Sequence, residues 1–353
     1  MFEEEIRSAV VTGPTGALGH ALVEVLARAG IRVLAAVHPG SPRNARLFAS
    51  PLVQQVPCEL SDLLELSARI GAPVDAFFHL AWLGTQQREN RMDMYLQNTN
   101  VRYALDAVHA AGELGAKVFV GAGSQAEYGR VDGVLRPELP AWPENGYGMA
   151  KLCAGQMTRA LCRQLGIRHI WPRVVSVYGP SDGSQTLVST VMTCLMAGKS
   201  PRLTPGSQLW DYLYAGDAAR AFLAMARRGR DGALYVVASG HSRPLRDFMQ
   251  EIQQVVNPSV PLGIGALPYL AGQVMHLEAD VSSLVRDTGW QPEVRFTEGI
   301  RMTWNEMCAA SSGGAIVRNY RTISSTVTWQ AAFPFAGSFT APFFCQQHLR
   351  VVA

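Results

Sequence analysis

The chain has 353 residues, 48% of them hydrophobic, which is enough to bury a large core as one large domain or two coupled ones. Its net charge of +3 is too small to indicate a nucleic-acid partner. No apolar run reaches the roughly 18 residues that a membrane span needs, and the acidic start of the chain lacks a signal-peptide pattern. We therefore expect a cytoplasmic protein with no membrane partner.

The six cysteines are scattered, and no two of them form a CxxC pair. Most lie in apolar stretches, which favours buried thiols over disulfides or a metal site. Their positions are Cys58, Cys153, Cys162, Cys194, Cys308 and Cys345.

The first informative stretch is residues 10–19, VVTGPTGALG, which predicts a buried strand, a glycine turn and the start of a helix. Gly13 permits a tight turn, Gly16 lets a pyrophosphate approach the backbone, and Gly19 lets helix and strand pack closely. The helix N-terminus offers unpaired N–H groups to phosphates. The stretch therefore predicts a dinucleotide site, although an ordinary strand-to-helix turn has the same local pattern.

Short apolar strands alternate with helices from about residue 8 to about residue 180. The strands do not alternate polar and apolar residues, which is typical of strands covered on both faces. The pattern predicts an α/β fold with a Rossmann-like, doubly wound parallel sheet. The predicted strands are 9–12, 32–37, 53–57, 76–79, 117–121 and 169–174.

The end of the second predicted strand bears on the cofactor. Enzymes that use NAD often carry Asp or Glu there to hold the ribose 2′-hydroxyl. This chain has His38, and Arg43 follows soon after. A cation near that point suits a 2′-phosphate, so the sequence favours NADP, with NAD possible and a merely solvent-exposed loop as the alternative.

A serine, a tyrosine and a lysine form the candidate chemical centre. Ser124 follows the fifth strand, and Tyr147 and Lys151 stand four residues apart, which places them on one face of a helix. An ammonium group beside a phenol favours the phenolate and lowers the tyrosine pKa. Such a tyrosine can donate a proton to a carbonyl or remove one from a hydroxyl, while a nicotinamide handles the hydride. Outside such a context, the spacing of Tyr147 and Lys151 usually marks no more than a surface pair on a helix. His79, at the end of the fourth predicted strand, is by itself more often a packed, hydrogen-bonded residue than a catalytic one.

These stretches together resemble the extended short-chain dehydrogenases/reductases, in the nucleotide-sugar epimerase/dehydratase/ketoreductase branch. The resemblance covers residues 7–305 and rests on residues 12–19, 79–81, 100–101, 124, 147–151 and 173–180. It implies that Ser124, Tyr147 and Lys151 are catalytic, with Tyr147 and Lys151 also touching the cofactor. It implies further cofactor contacts from Gly13, Thr15, Gly16, Ala17, Leu18 and Gly19 at the pyrophosphate, from Glu59 and Leu60 near the adenine, and from Leu80, Ala81 and Val175 near the nicotinamide.

The second half of the chain supports the same resemblance. Residues 210–221 and 289–292 look like segments of that branch, and Asp217 is predicted to cap a helix over 218–227. We expect a dinucleotide-binding domain over 1–180 and a substrate lobe over 181–310 that includes helices 187–197 and 245–256. The tail 311–353 contains no Asp or Glu and is expected to be peripheral or disordered, so deleting 312–353 should leave activity intact.

Several positions depart from the branch. Gln125 and Ala126 stand where dehydratases carry Asp and Glu, which makes a 4,6-dehydratase unfavoured. The next residue, Glu127, should point elsewhere. Trp210, Ser176 and Leu270 replace Arg, Asn and Arg that help grip the nucleotide, and Trp82 with Trp210 suits a more apolar pocket. The candidate substrate-binding residues are Trp82, Ser124, Gln125, Ser176 and Trp210.

The favoured function is an NAD(P)-dependent 4-ketoreductase of a nucleotide-sugar. A 4-epimerase with tightly bound NAD needs the same three catalytic residues, and a reductase of a non-sugar ketone also fits. A non-catalytic dinucleotide sensor is a fourth reading, although such proteins typically lose the tyrosine or the lysine. Many relatives form a four-helix dimer interface from the helices that match 100–114 and 147–165. Leu152, Met157, Ala160 and Leu161 would supply such a face, so we expect a homodimer, although packing within one chain explains the same residues equally well.

Overall fold

The computed structural model describes residues 4–85, 87–270 and 272–312, and the short segments 328–329 and 350–351. Most of the prediction for the tail 311–353 lies outside these residues. The strands are β1 (Ser8–Thr12), β2 (Arg32–Val37), β3 (Val53–Pro57), β4 (Ala76–His79), β5 (Val118–Gly121), β6 (Gly123–Ser124), β7 (Val134–Leu135), β8 (Arg168–Val174), β9 (Ser176–Tyr178), β10 (Leu209–Trp210), β11 (Tyr212–Tyr214), β12 (Ala233–Val237), β13 (Arg243–Pro244), β14 (Glu278–Ala279), β15 (Thr328–Trp329) and β16 (Arg350–Val351).

The α-helices are α1 (Ala17–Arg28), α2 (Leu66–Ile70), α3 (Arg88–Met92), α4 (Met94–Glu113), α5 (Gly146–Leu165), α6 (Leu187–Met196), α7 (Ala215–Arg228), α8 (Leu245–Val256), α9 (Ser282–Thr288) and α10 (Phe296–Ser312). Short 3₁₀ helices lie at Pro42–Arg46, Leu60–Glu65 and Gln125–Glu127. Among the described residues, no helix has the length and apolar character to cross a bilayer.

The central sheet is parallel, with the strand order β12-β8-β5-β4-β1-β2-β3 and β6 beside β8. The chain builds outward from β1 in one direction as far as β3 and then in the other direction from β4. The order therefore switches between β1 and β4, and ligands of such sheets bind in the crevice outside the carboxyl ends at that point. The predicted doubly wound parallel sheet is confirmed, with all six predicted strands in it.

Helices cover both faces of this sheet, which explains why its strands are apolar throughout. Leu22 of α1 and Phe222 of α7 are fully buried in the cluster on one face. Ala107 and Val108 of α4 are fully buried in the cluster on the other. Burying a side chain of leucine or phenylalanine size stabilises the fold by about 1.5–3 kcal/mol.

The last strand of the sheet, β12, comes from beyond residue 180, and α7, also from beyond residue 180, packs beside α1. The sheet thus draws on both stretches of chain that the sequence divides at 180, and the domain limits stay a prediction. Residues of β11, α6 and α8 form a separate core, in which Tyr212, Met192 and Phe248 are buried.

Helix α7 begins at Ala215, so the prediction that Asp217 caps a helix from 218 is wrong. Asp217 lies inside the first turn and is fully buried. Its carboxylate accepts hydrogen bonds from the backbone N–H groups of Glu293 (3.1 Å) and Val294 (2.9 Å), and its carbonyl accepts one from the Trp290 indole (3.1 Å). The carboxylate is used to attach a distant segment, which a local pattern does not reveal.

The cysteines of the described residues are all free. Cys58 and Cys162 are buried, as expected, whereas Cys194 and Cys308 are half-buried and Cys153 is exposed. Within the same residues, no group of three or more His, Cys, Asp or Glu side chains could hold a metal ion.

Candidate active site

The glycine turn between β1 and α1 has the geometry that its spacing predicts. Gly13 has φ +67°, and a Cβ there would lie 2.7 Å from the Ala81 nitrogen. A Cβ on Gly19 would lie 2.1 Å from the Gly13 carbonyl oxygen, so only glycine lets α1 pack this closely. Gly16 is exposed and caps α1 without a side-chain hydrogen bond. The first-turn N–H groups of α1 are therefore open to an incoming anion.

A hydrogen-bonded contact ties the carboxyl ends of β1 and β4 together. The Thr12 hydroxyl lies 3.0 Å from His79 Nδ1 and accepts from the N–H groups of Leu80 (3.2 Å) and Ala81 (3.3 Å). His79 is 2% exposed, and burial, together with the charge of Lys151, lowers its pKa to about 3. His79 is therefore a neutral, packed residue.

A cleft of about 630 Å³ opens at this switch point, within the size range of small-molecule and cofactor sites. It is lined by ten of the predicted residues: Gly13, Thr15, Gly16, His38, Arg43, Glu59, Leu60, Leu80, Ala81 and Trp82. The other six predicted cofactor residues do not line it in the described part of the chain: Ala17, Leu18, Gly19, Tyr147, Lys151 and Val175.

One end of the cleft carries mixed charge. His38 Nδ1 lies 3.3 Å from Glu59 Oε1, and both side chains are more than half exposed. Arg43 lies in the adjoining 3₁₀ helix, where its N–H donates to the Ser41 hydroxyl (3.4 Å). The two candidates for binding a 2′-phosphate, His38 and Arg43, thus both line the cleft, and the Glu59 carboxylate lies beside His38.

The structure brings Ser124, Tyr147 and Lys151 together beside this cleft. The Asn145 side chain caps α5 by accepting from the Gly148 N–H (2.9 Å), which fixes Tyr147 in the first turn. A Cβ on Gly148 would lie 2.3 Å from the Ala126 carbonyl oxygen, so glycine allows α5 to approach the turn after Ser124. Ser124 is close enough to Tyr147 to lower the pKa of its phenol.

Lys151 does not turn its ammonium group mainly toward Tyr147. Its Nζ donates to the Ala122 carbonyl (2.7 Å) and lies 3.6 Å from the Trp82 ring centroid, against 5.9 Å from that of Tyr147. Lys151 is 4% exposed, and burial lowers its pKa to about 7, although the Glu127 charge opposes the shift.

The pKa of Tyr147 is raised, so the expectation of a pKa lowered by Lys151 is wrong for the chain alone. Burial is the largest cause, and it outweighs the lowering by Arg91 and by the Ser124 hydrogen bond. The ammonium of Lys151 is occupied by Ala122 and Trp82 instead.

Trp82 connects the cleft to the phenol. Its ring lines the cleft and meets the Tyr147 ring edge to face, with the centroids 6.2 Å apart. Its indole N–H donates to Gln97 Oε1 (2.8 Å), which fixes the ring.

Glu127 is a residue whose importance the sequence reasoning missed. It is 1% exposed, and its carboxylate accepts from the Ser124 N–H (2.8 Å), the Trp171 indole (3.0 Å) and Arg173 Nε (2.8 Å). Its carboxylate is thus engaged with Ser124, Trp171 and Arg173, and its charge acts on both Tyr147 and Lys151. Ser-x-x-Glu is a capping-box pattern, and that signal could have identified the residue.

The remaining candidate substrate residues are spread out. Gln125 and Ser176 are half-buried, in the 3₁₀ helix after Ser124 and at the start of β9 respectively. Trp210 is 5% exposed in the separate core formed with residues of β11, α6 and α8, and its ring centroid lies 6.5 Å from that of Tyr212. Of the two tryptophans expected to line one pocket, Trp82 alone lines the cleft.

Comparison with known sequences gives one family and several relatives. A model described as the NAD dependent epimerase/dehydratase family matches residues 9–238. The chain is 23% identical to a CDP-abequose synthase of Salmonella typhimurium, over 82% of this chain and 95% of that one. It is also 23% identical to a dTDP-glucose 4,6-dehydratase of Mycobacterium tuberculosis, over 83% and 91%.

Solved structures share the fold. A UDP-N-acetylglucosamine 4-epimerase from Methanobrevibacter ruminantium superposes with a TM-score of 0.78 at 20% identity, over 87% of this chain and 100% of that one. RMD from Pseudomonas aeruginosa, complexed with NADPH, gives 0.71 at 21% identity, over 85% and 99%. A UDP-glucuronic acid 4-epimerase from Bacillus cereus, with UDP-glucuronic acid and NAD, gives 0.74 at 18% identity, over 86% and 99%.

Proposed function

Because the chain belongs to the NAD dependent epimerase/dehydratase family, we propose that it is an oxidoreductase that uses a nicotinamide dinucleotide and acts on a nucleotide-activated sugar. The family membership confirms the resemblance that the motifs predict. The observation that carries the proposal is the contact of Trp82 with both the cleft and Tyr147, since it joins a glycine-lined cofactor cleft to an acid–base group. Reduction of a 4-keto group is the favoured reaction.

The cleft fits a dinucleotide. Gly16 leaves its backbone bare at the N-terminus of α1, where N–H groups and the helix dipole favour phosphate. A bound nicotinamide dinucleotide supplies or accepts the hydride.

The proton is handled by the chain itself. Burial raises the pKa of Tyr147, so the phenol is protonated at neutral pH and can donate its proton to a ketone oxygen. The Ser124 hydroxyl, which lowers the pKa of that phenol, is the proposed second donor to the same oxygen. Dehydration needs further acid–base groups beside the phenol, and neither Gln125 nor Ala126 supplies an ionisable one. The Glu127 carboxylate is engaged by Arg173. Dehydration therefore stays unfavoured, although a dehydratase is among the relatives.

NADP is the proposed cofactor, because His38 and Arg43 both line the cleft where a 2′-phosphate would lie. Glu59 opposes a phosphate at the same end. Calorimetric titration with NADPH and NADH tests this: Arg43→Met should weaken NADPH more than NADH, and Glu59→Gln should strengthen NADPH. Preference for NADH in the native chain would overturn the assignment.

An epimerase is the second candidate, supported by the 4-epimerases among the structural neighbours. Cofactor retention separates the two reactions. Bound NAD that survives purification would indicate an epimerase, whereas exchangeable NADPH that is oxidised by a keto-sugar panel would indicate a reductase. Tight cofactor binding without oxidation by any substrate would favour a sensor.

Tyr147→Phe tests the catalytic assignment. It should abolish turnover and leave dinucleotide affinity nearly unchanged, because the phenyl ring keeps its contact with Trp82. Tyr95→Phe is the matched control, since Tyr95 is 89% exposed on α4. Full turnover by Tyr147→Phe would refute the proposal.

A homodimer is proposed through the outer faces of α4 and α5. On the predicted face of α5, Met157 (44%) and Ala160 are exposed, and Leu152 and Leu161 are half-buried. Sedimentation equilibrium should give a dimer mass, and Met157→Glu should shift it toward the monomer.

A further inference from the structure

Arg91 of α3 lies against the face of the proposed catalytic phenol. Its guanidinium carbon is 4.5 Å from the centroid of the Tyr147 ring, closer than the 5.9 Å of Lys151 Nζ. We propose that Arg91 is a positioning residue for Tyr147, whose guanidinium stabilises the phenolate through the ring face. This inference rests on the proposed acid–base role of Tyr147.

The backbone that carries Arg91 is packed directly on the helix of Tyr147. A Cβ on Gly146, the first residue of α5, would lie 3.2 Å from the Arg91 carbonyl oxygen and 3.0 Å from Met94 Sδ. Glycine at this position therefore allows α3 and α5 to touch. Asp93 closes α3 and caps α4 by accepting from the N–H of Tyr95 at 3.0 Å.

The buried amide of Gln97 connects helix α3, which carries Arg91, to the Trp82 ring. Gln97 is 1% exposed, its Nε2 donates to the Asn90 carbonyl (2.9 Å), and its Oε1 accepts from the Trp82 indole (2.8 Å). Asn90 is next to Arg91 in α3. The helix with the cation and the ring at the edge of Tyr147 are thus fixed to each other.

The charges around Tyr147 come from three elements. Arg91 faces it from α3, Lys151 from its own helix and Glu127 from the 3₁₀ helix after Ser124. After burial, which raises the pKa of Tyr147, Arg91 is the largest influence and lowers it, whereas Glu127 raises it. Lys151 is held by Ala122 and Trp82, so Arg91 is the cation engaged with the phenol.

The test is a direct titration that needs no substrate. Tyr147 is replaced by a difluorinated tyrosine, whose greater acidity brings its absorbance titration into the range where the protein is folded. Arg91→Met should raise that pKa by about one unit, a tenfold loss of phenolate at fixed pH, because an opposite charge this close is worth about one unit or more. Arg88→Met, which removes the same charge one turn earlier on α3, is the matched control and should change it little.

Arg91→Lys keeps the charge but not the planar face, and it should retain part of the shift. If circular dichroism shows that Arg91→Met does not fold, Arg91→Lys and Arg91→Gln take its place. An unchanged Tyr147 pKa in Arg91→Gln would then decide against the proposal. Equal shifts in Arg91→Met and Arg88→Met, or no shift in either, would overturn it. Failure of the proposed function is recognised separately, because it requires turnover by Tyr147→Phe.

Discussion

Replacing Glu127 by alanine tests whether the buried carboxylate below Ser124 holds the site together. The change removes three accepted hydrogen bonds at once. It leaves the Arg173 guanidinium, 3% exposed, without its counter-ion. It also leaves the Ser124 N–H and the Trp171 indole without this acceptor.

The magnitude follows from these losses. Removing one member of a buried ion pair costs about 3–5 kcal/mol, and an unpaired buried donor costs about 1–3 kcal/mol. Since some of these losses overlap, we expect Glu127→Ala to lower the free energy of unfolding by about 5 kcal/mol, a large part of the roughly 5–15 kcal/mol of a typical domain. Urea denaturation at neutral pH measures it, provided that the m-value is unchanged.

The matched control is an exposed ion pair. Glu65 lies 2.6 Å from Arg69 Nη2 with its side chain 68% exposed, and water and salt screen such pairs. Glu65→Ala should therefore leave the denaturation midpoint close to that of the native chain. Glu127→Gln keeps an acceptor for Ser124 and Trp171 and should fall between the two. If Glu127→Ala costs no more than Glu65→Ala, the carboxylate does not stabilise the site and the reasoning is refuted.

Three further changes give distinct results. Burial holds the pKa of Lys151 at about 7, below its ordinary 10.5. Between these two values the unfolded chain binds more protons than the folded chain, so the free energy of unfolding should rise by about 2 kcal/mol from pH 7 to about pH 9. Urea denaturation curves for Lys151→Met should lack this rise. Gly19→Ala should not yield folded protein, because its Cβ would lie 2.1 Å from the Gly13 carbonyl oxygen. Gly16→Ala should keep the native melting temperature, because its Cβ meets no close atom, but it should bind the dinucleotide at least about tenfold more weakly. Asp217→Ala should lower the free energy of unfolding by about 3 kcal/mol in urea denaturation, since two part-buried backbone N–H groups lose their acceptor and Arg220 loses an ion-pair partner.

The parts of the fold that the sequence predicted are those with local causes. The strand at 76–79 follows from four consecutive apolar or packed residues, and the structure has it at the same bounds. The turn at Gly13 and the close contact of Gly19 follow from backbone sterics over a few residues. Local sterics and burial on both faces are sufficient for these elements.

The features that the sequence did not predict depend on contacts between residues far apart in the chain. The side chain of Asp217 binds backbone more than seventy residues away, so its role at the N-terminus of α7 was misjudged. The direction of the Lys151 ammonium depends on Trp82, from another strand end. Ala233–Val237 joins the sheet because β8 offers it an edge, which the segment itself does not encode.

The positions of the two tryptophans bear on the class of substrate. A pocket lined by both Trp82 and Trp210 would favour an apolar ketone as substrate. Trp210 is instead buried in the separate core formed with residues of β11, α6 and α8. Lys151 Nζ lies 3.6 Å from the centroid of the Trp82 ring, so this ring packs against a polar group rather than against apolar side chains alone. The guanidinium of Arg91 lies 4.5 Å from the centroid of the Tyr147 ring, so a cation adjoins the proposed reacting group. Positive charge at that point attracts an anionic substrate at moderate salt, which favours a nucleotide-activated sugar over a neutral ketone.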